Sequence, residues 1–327
     1  MLRHPSVLVT LVSLVDRLPW PAEPTKRSRG HPRMYSDRLI VKALVVMMIR
    51  RLYTVYTFLA FLDQDDPLPQ QLRPLRSEHG RCPTRRTWER RLVALPQHLP
   101  GLIGGVGRAL VRQLHPWATQ GRAVAVDRTP LETGGGVWHK KHREQGVVPH
   151  TSIETEAGWS KSGWHGWWYG WQLHLAVTVG AVWLPLAAEL TVANRGDNEI
   201  APSWLHQLPW EVRSVLGDTH YNDPEWRDQG QQRGWELVAT RRGPHPHRDS
   251  GVEVRKVFHK LRSPALEPFH GLFKNVLEWR VKMPVQGLQR SQLLALGAVV
   301  LYQVVLLYQH ERNLPLGKGI KPLLRAA

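Results

Sequence analysis

The stretch Arg122-Ala123-Val124-Ala125-Val126-Asp127 decides the fold. Before it, apolar residues recur at the spacing of amphipathic helices, whereas after it they form short runs separated by turn residues. Four small or β-branched apolar residues that end at an acidic residue predict a short buried strand. We therefore expect Asp127 to lie at the carboxyl end of the first strand of a sheet.

Four further strands follow this first one. They are predicted at Trp171–Val179, Ala181–Val192, Val212–Leu216 and Trp235–Thr240. The first three strands succeed one another directly, and predicted helices separate the later ones. This order predicts a mixed five-stranded sheet flanked by helices, which is an α/β arrangement with the strand order of the ribonuclease H-like fold.

The region before the sheet is helical and basic. Residues 1–121 contain 19 Lys and Arg against 8 Asp and Glu. A helix that begins near Thr84 has Trp88 on its apolar face and carries Arg85 and Arg86, which suit contacts with phosphates; a solvated basic face is the alternative. We expect residues 1–121 to form a DNA-binding or dimerisation region and residues 122–327 to form the ribonuclease H-like domain.

The overall charge favours a polyanionic partner. The formal net charge is +17 and the sequence pI is about 10.5, which is typical of proteins that bind nucleic acid. The single cysteine, Cys82, excludes an intrachain disulfide and fits a reducing compartment. The apolar run Leu293–Tyr308 is short for a membrane span and contains Gln303, so we expect a buried helix, no membrane partner and a cytoplasmic protein.

Three acidic residues occupy positions at which they could meet. Asp127 follows the first predicted strand, Asp218 follows the fourth, and Glu267 lies on the helix after the fifth. Carboxylates that converge at one edge of a sheet suit hard divalent cations, whose remaining positions substrate phosphates can fill. Each residue also has a purely structural interpretation, as a turn cap, a loop residue or a helix-end charge. Lys274 lies seven residues after Glu267 and therefore on the same helix face.

Five stretches resemble the DDE transposases of bacterial insertion sequences, in the order that the family shows. They are Ala125-Val126-Asp127-Arg128-Thr129, Tyr169-Gly170-Trp171-Gln172-Leu173-His174-Leu175, Ala193-Asn194-Arg195-Gly196-Asp197, Leu216-Gly217-Asp218-Thr219-His220-Tyr221 and Leu266-Glu267-Pro268-Phe269-His270-Gly271-Leu272-Phe273-Lys274. The resemblance implies that Asp127, Asp218 and Glu267 are the catalytic metal-binding triad.

The resemblance also implies which residues bind DNA. Lys274 is expected to contact the transposon end, because it matches the lysine that follows the family's catalytic glutamate by seven positions. Many relatives carry an arginine four positions before that glutamate and a tyrosine three positions earlier; here these positions are Ser263 and Lys260. Arg262, one place off, is then the candidate for the arginine's contact with phosphate.

The activity implied by the resemblance is metal-dependent. The chain is expected to use Mg²⁺ or Mn²⁺, as two ions, to hydrolyse the phosphodiester at each transposon end, and then to join the freed 3′-hydroxyl to target DNA. The active form is expected to be a homodimer that pairs two ends, close to the nucleoid of a prokaryotic cell. Two alternatives stay open: an inactive or recruited DNA-binding protein, and a ribonuclease H-like nuclease that cleaves without strand transfer.

A cluster of tryptophans precedes the second predicted strand. It includes Trp168, beside Lys161 and Tyr169. Aromatic rings next to cations can stack on unpaired bases at a distorted DNA end. The alternative is that these rings fill the core between the sheet and a neighbouring element.

Salt dependence separates phosphate binding from a merely solvated basic surface. Residues 241–290 add a second basic region, with 11 Lys and Arg against 4 Asp and Glu. Phosphate contacts release counterions, so we expect the logarithm of the DNA association constant to fall linearly with the logarithm of salt concentration, with a slope of roughly −0.9 per contact. Fluorescence anisotropy across a salt series measures this slope; a flat dependence would contradict phosphate binding.

Overall fold

The protein is described by a computed structural model that covers residues 6–20, 34–117, 122–162, 166–180, 182–196, 199–200, 208–239, 277 and 282–327. Its contacts divide the chain into two compact units, Met1–Val106 with Gln292–Ala327, and Gly107–Ser291. The C-terminal residues thus group with the helical unit by their contacts. The functional division after residue 121 remains a prediction.

Helices account for most of the first unit, and a few also occur in the second. The described helices of both units are, in chain order, α1 Val7–Leu14, α2 Asp37–Ile49, α3 Val55–Leu62, α4 Pro67–Leu72, α5 Arg85–Ala94, α6 Leu99–Leu114, α7 Lys140–Glu144, α8 Pro224–Arg233, α9 Leu288–Glu311 and α10 Ile320–Ala326. Short 3-10 helices span Val15–Arg17, Arg73–Arg76, Leu95–Gln97 and Thr219–Tyr221. The helical character expected of the N-terminal region is confirmed.

The apolar helix α9 is buried, as its sequence predicts. Within the first unit it approaches α2 closely, since a Cβ on Gly297 would lie 2.8 Å from Leu44 Cδ2. Its one central polar residue is also accommodated, because Gln303 Nε2 donates to Ile103 O at 3.0 Å. Among the described residues, α9 alone is long and apolar enough to cross a membrane, and 89% of its most apolar window is buried in the structure.

The second unit contains a six-stranded mixed sheet. Its strands are β1 Ala123–Glu132, β2 Gly158–Ser162, β3 Gly166–Thr178, β4 Pro185–Val192, β5 Ser214–Gly217 and β6 Glu236–Ala239. The order is β2-β3-β1-β5-β6, and β4 also pairs with β3. Pairings of β3 with β1, β2 and β4 are antiparallel, whereas β1–β5 and β5–β6 are parallel. The mixed α/β class is confirmed.

The strand count needs one correction. All five predicted strands form, but β2 is a sixth that the sequence did not reveal. Its residues Trp159-Ser160-Lys161-Ser162 are mostly polar and lack the apolar run that marks the other strands. The strand forms because it pairs with the first half of β3, where Lys161 lies opposite Trp167 and Trp159 lies opposite Tyr169.

A serine cap fixes the start of α2. Ser36 Oγ accepts from Leu39 N at 3.2 Å, as the sequence predicts for an N-cap. Ser36 N in turn donates to Glu78 Oε2 at 2.6 Å, which ties the helix start to a distant turn.

Replacing this cap should destabilise the helical unit. We expect Ser36→Ala to lower the free energy of unfolding by about 0.5–2 kcal/mol, because Leu39 N loses its acceptor. Urea unfolding measures the change. Ser13→Ala is the control, since the exposed Ser13 hydroxyl only donates to Thr10 O within its own helix; equal losses in both variants would contradict a specific role of the Ser36 cap.

Candidate active site

Two carboxylates follow the paired part of neighbouring parallel strands. Parallel strands β1 and β5 pair Ala123 with Ser214 and Ala125 with Leu216. Asp127 lies two residues beyond Ala125 along the chain, and Asp218 lies two residues beyond Leu216, directly after the end of β5. Both side chains are half-buried.

Backbone amides hold one oxygen of each carboxylate. Arg128 N donates to Asp127 Oδ1 at 2.9 Å, and His220 N donates to Asp218 Oδ1 at 2.7 Å. The second bond makes Asp218 the N-cap of the 3-10 helix Thr219–Tyr221. This capping role is compatible with metal binding because a carboxylate has two oxygens and about four lone-pair directions.

The backbone at Asp218 is held in place by close packing behind it. A Cβ on Gly217 would lie 2.6 Å from Tyr221 Cβ, so only glycine lets the chain fold back this tightly. Tyr221 packs edge-on against Trp226, with ring centroids 5.3 Å apart, and Trp226 is fully buried in α8. The carboxylate of Asp218 consequently sits on a short rigid turn between β5 and α8.

The other residues of the expected triad and its DNA contacts lie outside the described residues. This applies to Glu267, to Lys274 and to Arg262. Within the described residues, no group of three or more His, Cys, Asp and Glu side chains could hold a metal ion. The pair Asp127 and Asp218 still fits a divalent ion, since Mg²⁺ is commonly held by one or two carboxylates together with substrate phosphates.

An open cleft of about 540 Å³ adjoins the two carboxylates. Arg128 and His220, which donate backbone hydrogen bonds to the carboxylates, contribute to its lining at one end. Trp159, Lys161 and Trp167 contribute to it from the β2–β3 hairpin. The sequence analysis assigned no role to Arg128 or Arg195 individually, although both lie in its family-like stretches.

Trp168 and Trp167 differ sharply in exposure. The Trp168 side chain is 6% exposed, whereas its neighbour Trp167 is 66% exposed. Trp167 lies near the start of β3, and the strand is buried from Trp168 onward. Burial leaves little of the Trp168 ring on which a base could stack, so the core interpretation suits Trp168.

The basic helix α5 has the faces that its sequence predicts. Trp88 and Leu92 are buried, and Arg85 and Arg86 are exposed. Arg85 is ion-paired with Glu89 at 2.8 Å. Both guanidinium groups remain candidates for phosphate contacts.

The mixed sheet defines an α/β domain in which Asp127 and Asp218 follow two neighbouring parallel strands. Residues 118–266 match the family model described as the transposase DDE domain, which confirms the resemblance over this part of the chain. The match contains Asp127 and Asp218 and ends one residue before Glu267. Residues 118–266 are therefore similar to the transposase DDE domain.

Two other comparisons add little. The comparison with curated proteins found no match. Among solved structures, the crystal structure of the Mos1 strand transfer complex is similar, with 12% identity, 86% of this chain and 79% of that chain covered, and a TM-score of 0.21.

A single added methyl group should test the turn that holds Asp218. We expect Gly217→Ala to lower the free energy of unfolding by about 1–3 kcal/mol, because the methyl group collides with Tyr221. The displaced Asp218 should also weaken Mn²⁺ binding, which isothermal titration calorimetry measures.

Gly196→Ala is the matched control in the same unit, since its added Cβ would have no neighbour closer than 3.5 Å. This variant should keep both stability and Mn²⁺ affinity. Wild-type Mn²⁺ affinity in Gly217→Ala would contradict the role of this glycine in placing Asp218.

Proposed function

We propose that this chain is a transposase that cleaves the ends of an insertion sequence and joins them to target DNA. The observation that supports the proposal is that Asp127 and Asp218 follow the paired parts of the neighbouring parallel strands β1 and β5, within residues that match the transposase DDE domain. Asp127 and Asp218 hold the metal, Glu267 completes its shell, and Lys274 positions the transposon end. Arg262, Arg85 and Arg86 contact the DNA backbone.

The first step is hydrolysis. The oxygen of a water molecule forms a bond to the phosphorus at the transposon end, the bond from phosphorus to the 3′-oxygen breaks, and a 3′-hydroxyl and a 5′-phosphate remain. The proton of the attacking water leaves to solvent, and the departing 3′-oxygen acquires one. When bound, two Mg²⁺ or Mn²⁺ ions supply activation of the attacking oxygen and stabilisation of the leaving one.

The second step is transesterification at the target. The freed 3′-hydroxyl attacks a phosphodiester of target DNA, so that one bond from phosphorus to oxygen forms while another breaks, without any external energy source. The two carboxylates serve both steps because each step is an in-line displacement at phosphorus. A homodimer would present two such sites to the two transposon ends.

The carboxylate pair needs a counter-charge. Two unit charges ~5 Å apart repel each other by roughly 3 kcal/mol at an effective dielectric constant of ~20. A divalent cation converts this repulsion into two attractive contacts. The half-buried position of both side chains strengthens the effect relative to bulk water.

Removing either charge should abolish cleavage and leave DNA binding intact. We expect Asp218→Asn and Asp127→Asn to reduce Mn²⁺-dependent cleavage roughly 100- to 1,000-fold or more, because the metal ion is then no longer held where it stabilises the transition state. The substrate is a plasmid that carries the terminal sequences flanking the gene, and gel electrophoresis measures the products. Anisotropy with the same DNA should give an unchanged dissociation constant.

Asp228→Asn is the matched control, since Asp228 is an exposed aspartate on α8 of the same unit. It should cleave as the wild type does. Retained cleavage in Asp218→Asn would contradict the proposal. A joining assay separates the remaining functions: cleavage without joined products indicates a nuclease, and binding without cleavage indicates a recruited DNA-binding protein.

A further inference from the structure

The loop between β1 and β2, residues 133–157, carries a cationic surface that the proposed chemistry does not use. Its tip, residues 138–150, contains three Lys and Arg against one Glu, together with three histidines. The Lys, Arg and Glu side chains of the tip are all exposed. Lys140 lies 3.6 Å from Glu144, whereas Lys141 and Arg143 have no ion-pair partner among the described residues.

Two valines at the same tip are exposed as well. Val147 is 49% exposed and Val148 is 47% exposed. Surface charge alone keeps a protein soluble, so solubility accounts for the cations but not for two consecutive exposed apolar side chains. Cations beside apolar groups suit the sugar–phosphate backbone of a nucleic acid, which offers charged phosphates and the C–H groups of its sugars.

The tip is ordered by its own hydrogen bonds. Trp138 Nε1 donates to Val147 O at 2.9 Å across the tip, and Val147 N donates to His142 O at 2.9 Å. Gly146, with a φ of 66°, makes the left-handed turn between α7 and the valines. The cations of α7 are therefore presented on a fixed backbone, so that binding needs to order only their side chains.

The base of the loop is fastened to the sheet unit. Gly136 N donates to Ser152 O at 2.7 Å, and Glu154 N donates to Gly136 O at 2.9 Å. The Glu154 side chain is 3% exposed, and its Oε2 accepts from Gly287 N at 2.5 Å. The tip consequently holds a fixed position relative to β1.

We infer that the tip of the β1–β2 loop contacts the backbone of target DNA, a duplex that is accepted whatever its sequence. Strand β1 leads from the candidate carboxylates to the loop, since Thr133 lies six residues after Asp127. Six residues of strand span ~20 Å, and each strand of a duplex carries a phosphate every ~3.4 Å. A duplex that follows β1 from the phosphate under attack thus meets the loop after about six base pairs.

The chemistry of the tip favours target DNA over the transposon end. A lysine offers a point charge on a flexible stem, which suits a phosphate, and contacts with phosphates carry no sequence information. Such contacts serve DNA of any sequence, whereas a transposon end has one sequence. The assignment to target DNA rests on the proposed function; the binding of a duplex by the tip does not.

The first test is the salt dependence of binding. A duplex of arbitrary sequence is titrated by anisotropy with metal chelated, so that no chemistry occurs. We expect the double variant Lys141→Gln/Arg143→Gln to reduce the slope of log affinity against log salt by about two, because two phosphate contacts are lost. The reduction should be the same for duplexes of unrelated sequence.

Arg233→Gln is the matched control, since Arg233 is an exposed arginine of α8 in the same unit. Its slope should equal that of the wild type. An unchanged slope in the double variant would overturn the inference, and so would a reduction confined to one sequence.

A second test locates the duplex. Cys82 is the single cysteine of the chain, so Cys82→Ser combined with Lys141→Cys leaves one thiol, at the tip, to which iron–EDTA is attached. The DNA is a branched duplex in which a transposon end is already joined to target. We expect radical cuts in the target arm about six base pairs from the joining phosphate. The same reagent at Arg233→Cys should not cut there; cuts by the Lys141→Cys protein confined to the transposon arm, or none, would overturn the assignment.

A joining assay separates this inference from the transposase chemistry. With a pre-cut end and limiting target plasmid, the ratio of joining to cleavage should fall about tenfold in Lys141→Gln/Arg143→Gln, the effect of two lost phosphate contacts. An unchanged ratio would overturn the assignment to target DNA. Absence of both reactions in the wild type refutes the proposed function alone, because the salt slope of the variant still tests the tip.

Discussion

The candidate site depends on the parallel pairing of β1 with β5. A slip of one residue in this pairing would turn one of the two carboxylates to the opposite face of the sheet. The register is held by buried side chains on both strands, of which Val124 and Val215 are fully buried. Burial of this apolar surface stabilises the β1–β5 pairing by ~25 cal/mol per Å². The pairing in turn holds the chain segments that carry Asp127 and Asp218, whose negative charges repel each other.

Under the proposed function, a strongly basic chain brings DNA to a pair of carboxylates. Carboxylates repel phosphates, whereas a net charge of +17 attracts a polyanion in spite of them. The cleft repeats this arrangement locally, because Arg128 directly follows Asp127 and the lysine of β2 stands over an exposed tryptophan. Long-range attraction and short-range placement therefore come from different residues.

Much of the fold could be predicted from the sequence. Apolar runs placed five strands, and polar residues before helical patterns indicated the helix starts at Ser36 and Thr84. Each of these signals is local. Strand β2 was not predicted because its stability comes from pairing with β3 and not from its own composition.

The site could be predicted only in part. The sequence put Asp127 and Asp218 after predicted strands, but the parallel pairing of those strands is not encoded by any local pattern. The different exposure of Trp167 and Trp168 required the structure, since both lie in one run of aromatic residues. Glu267 remains a prediction from family resemblance, as it lies outside the described residues.

A crystal structure of the protein soaked in Mn²⁺, with the metal located by its anomalous scattering, tests the central claim most directly. The account predicts an anomalous peak between the carboxylates of Asp127 and Asp218, with Glu267 close by. Well-ordered carboxylates with no peak between them would contradict it.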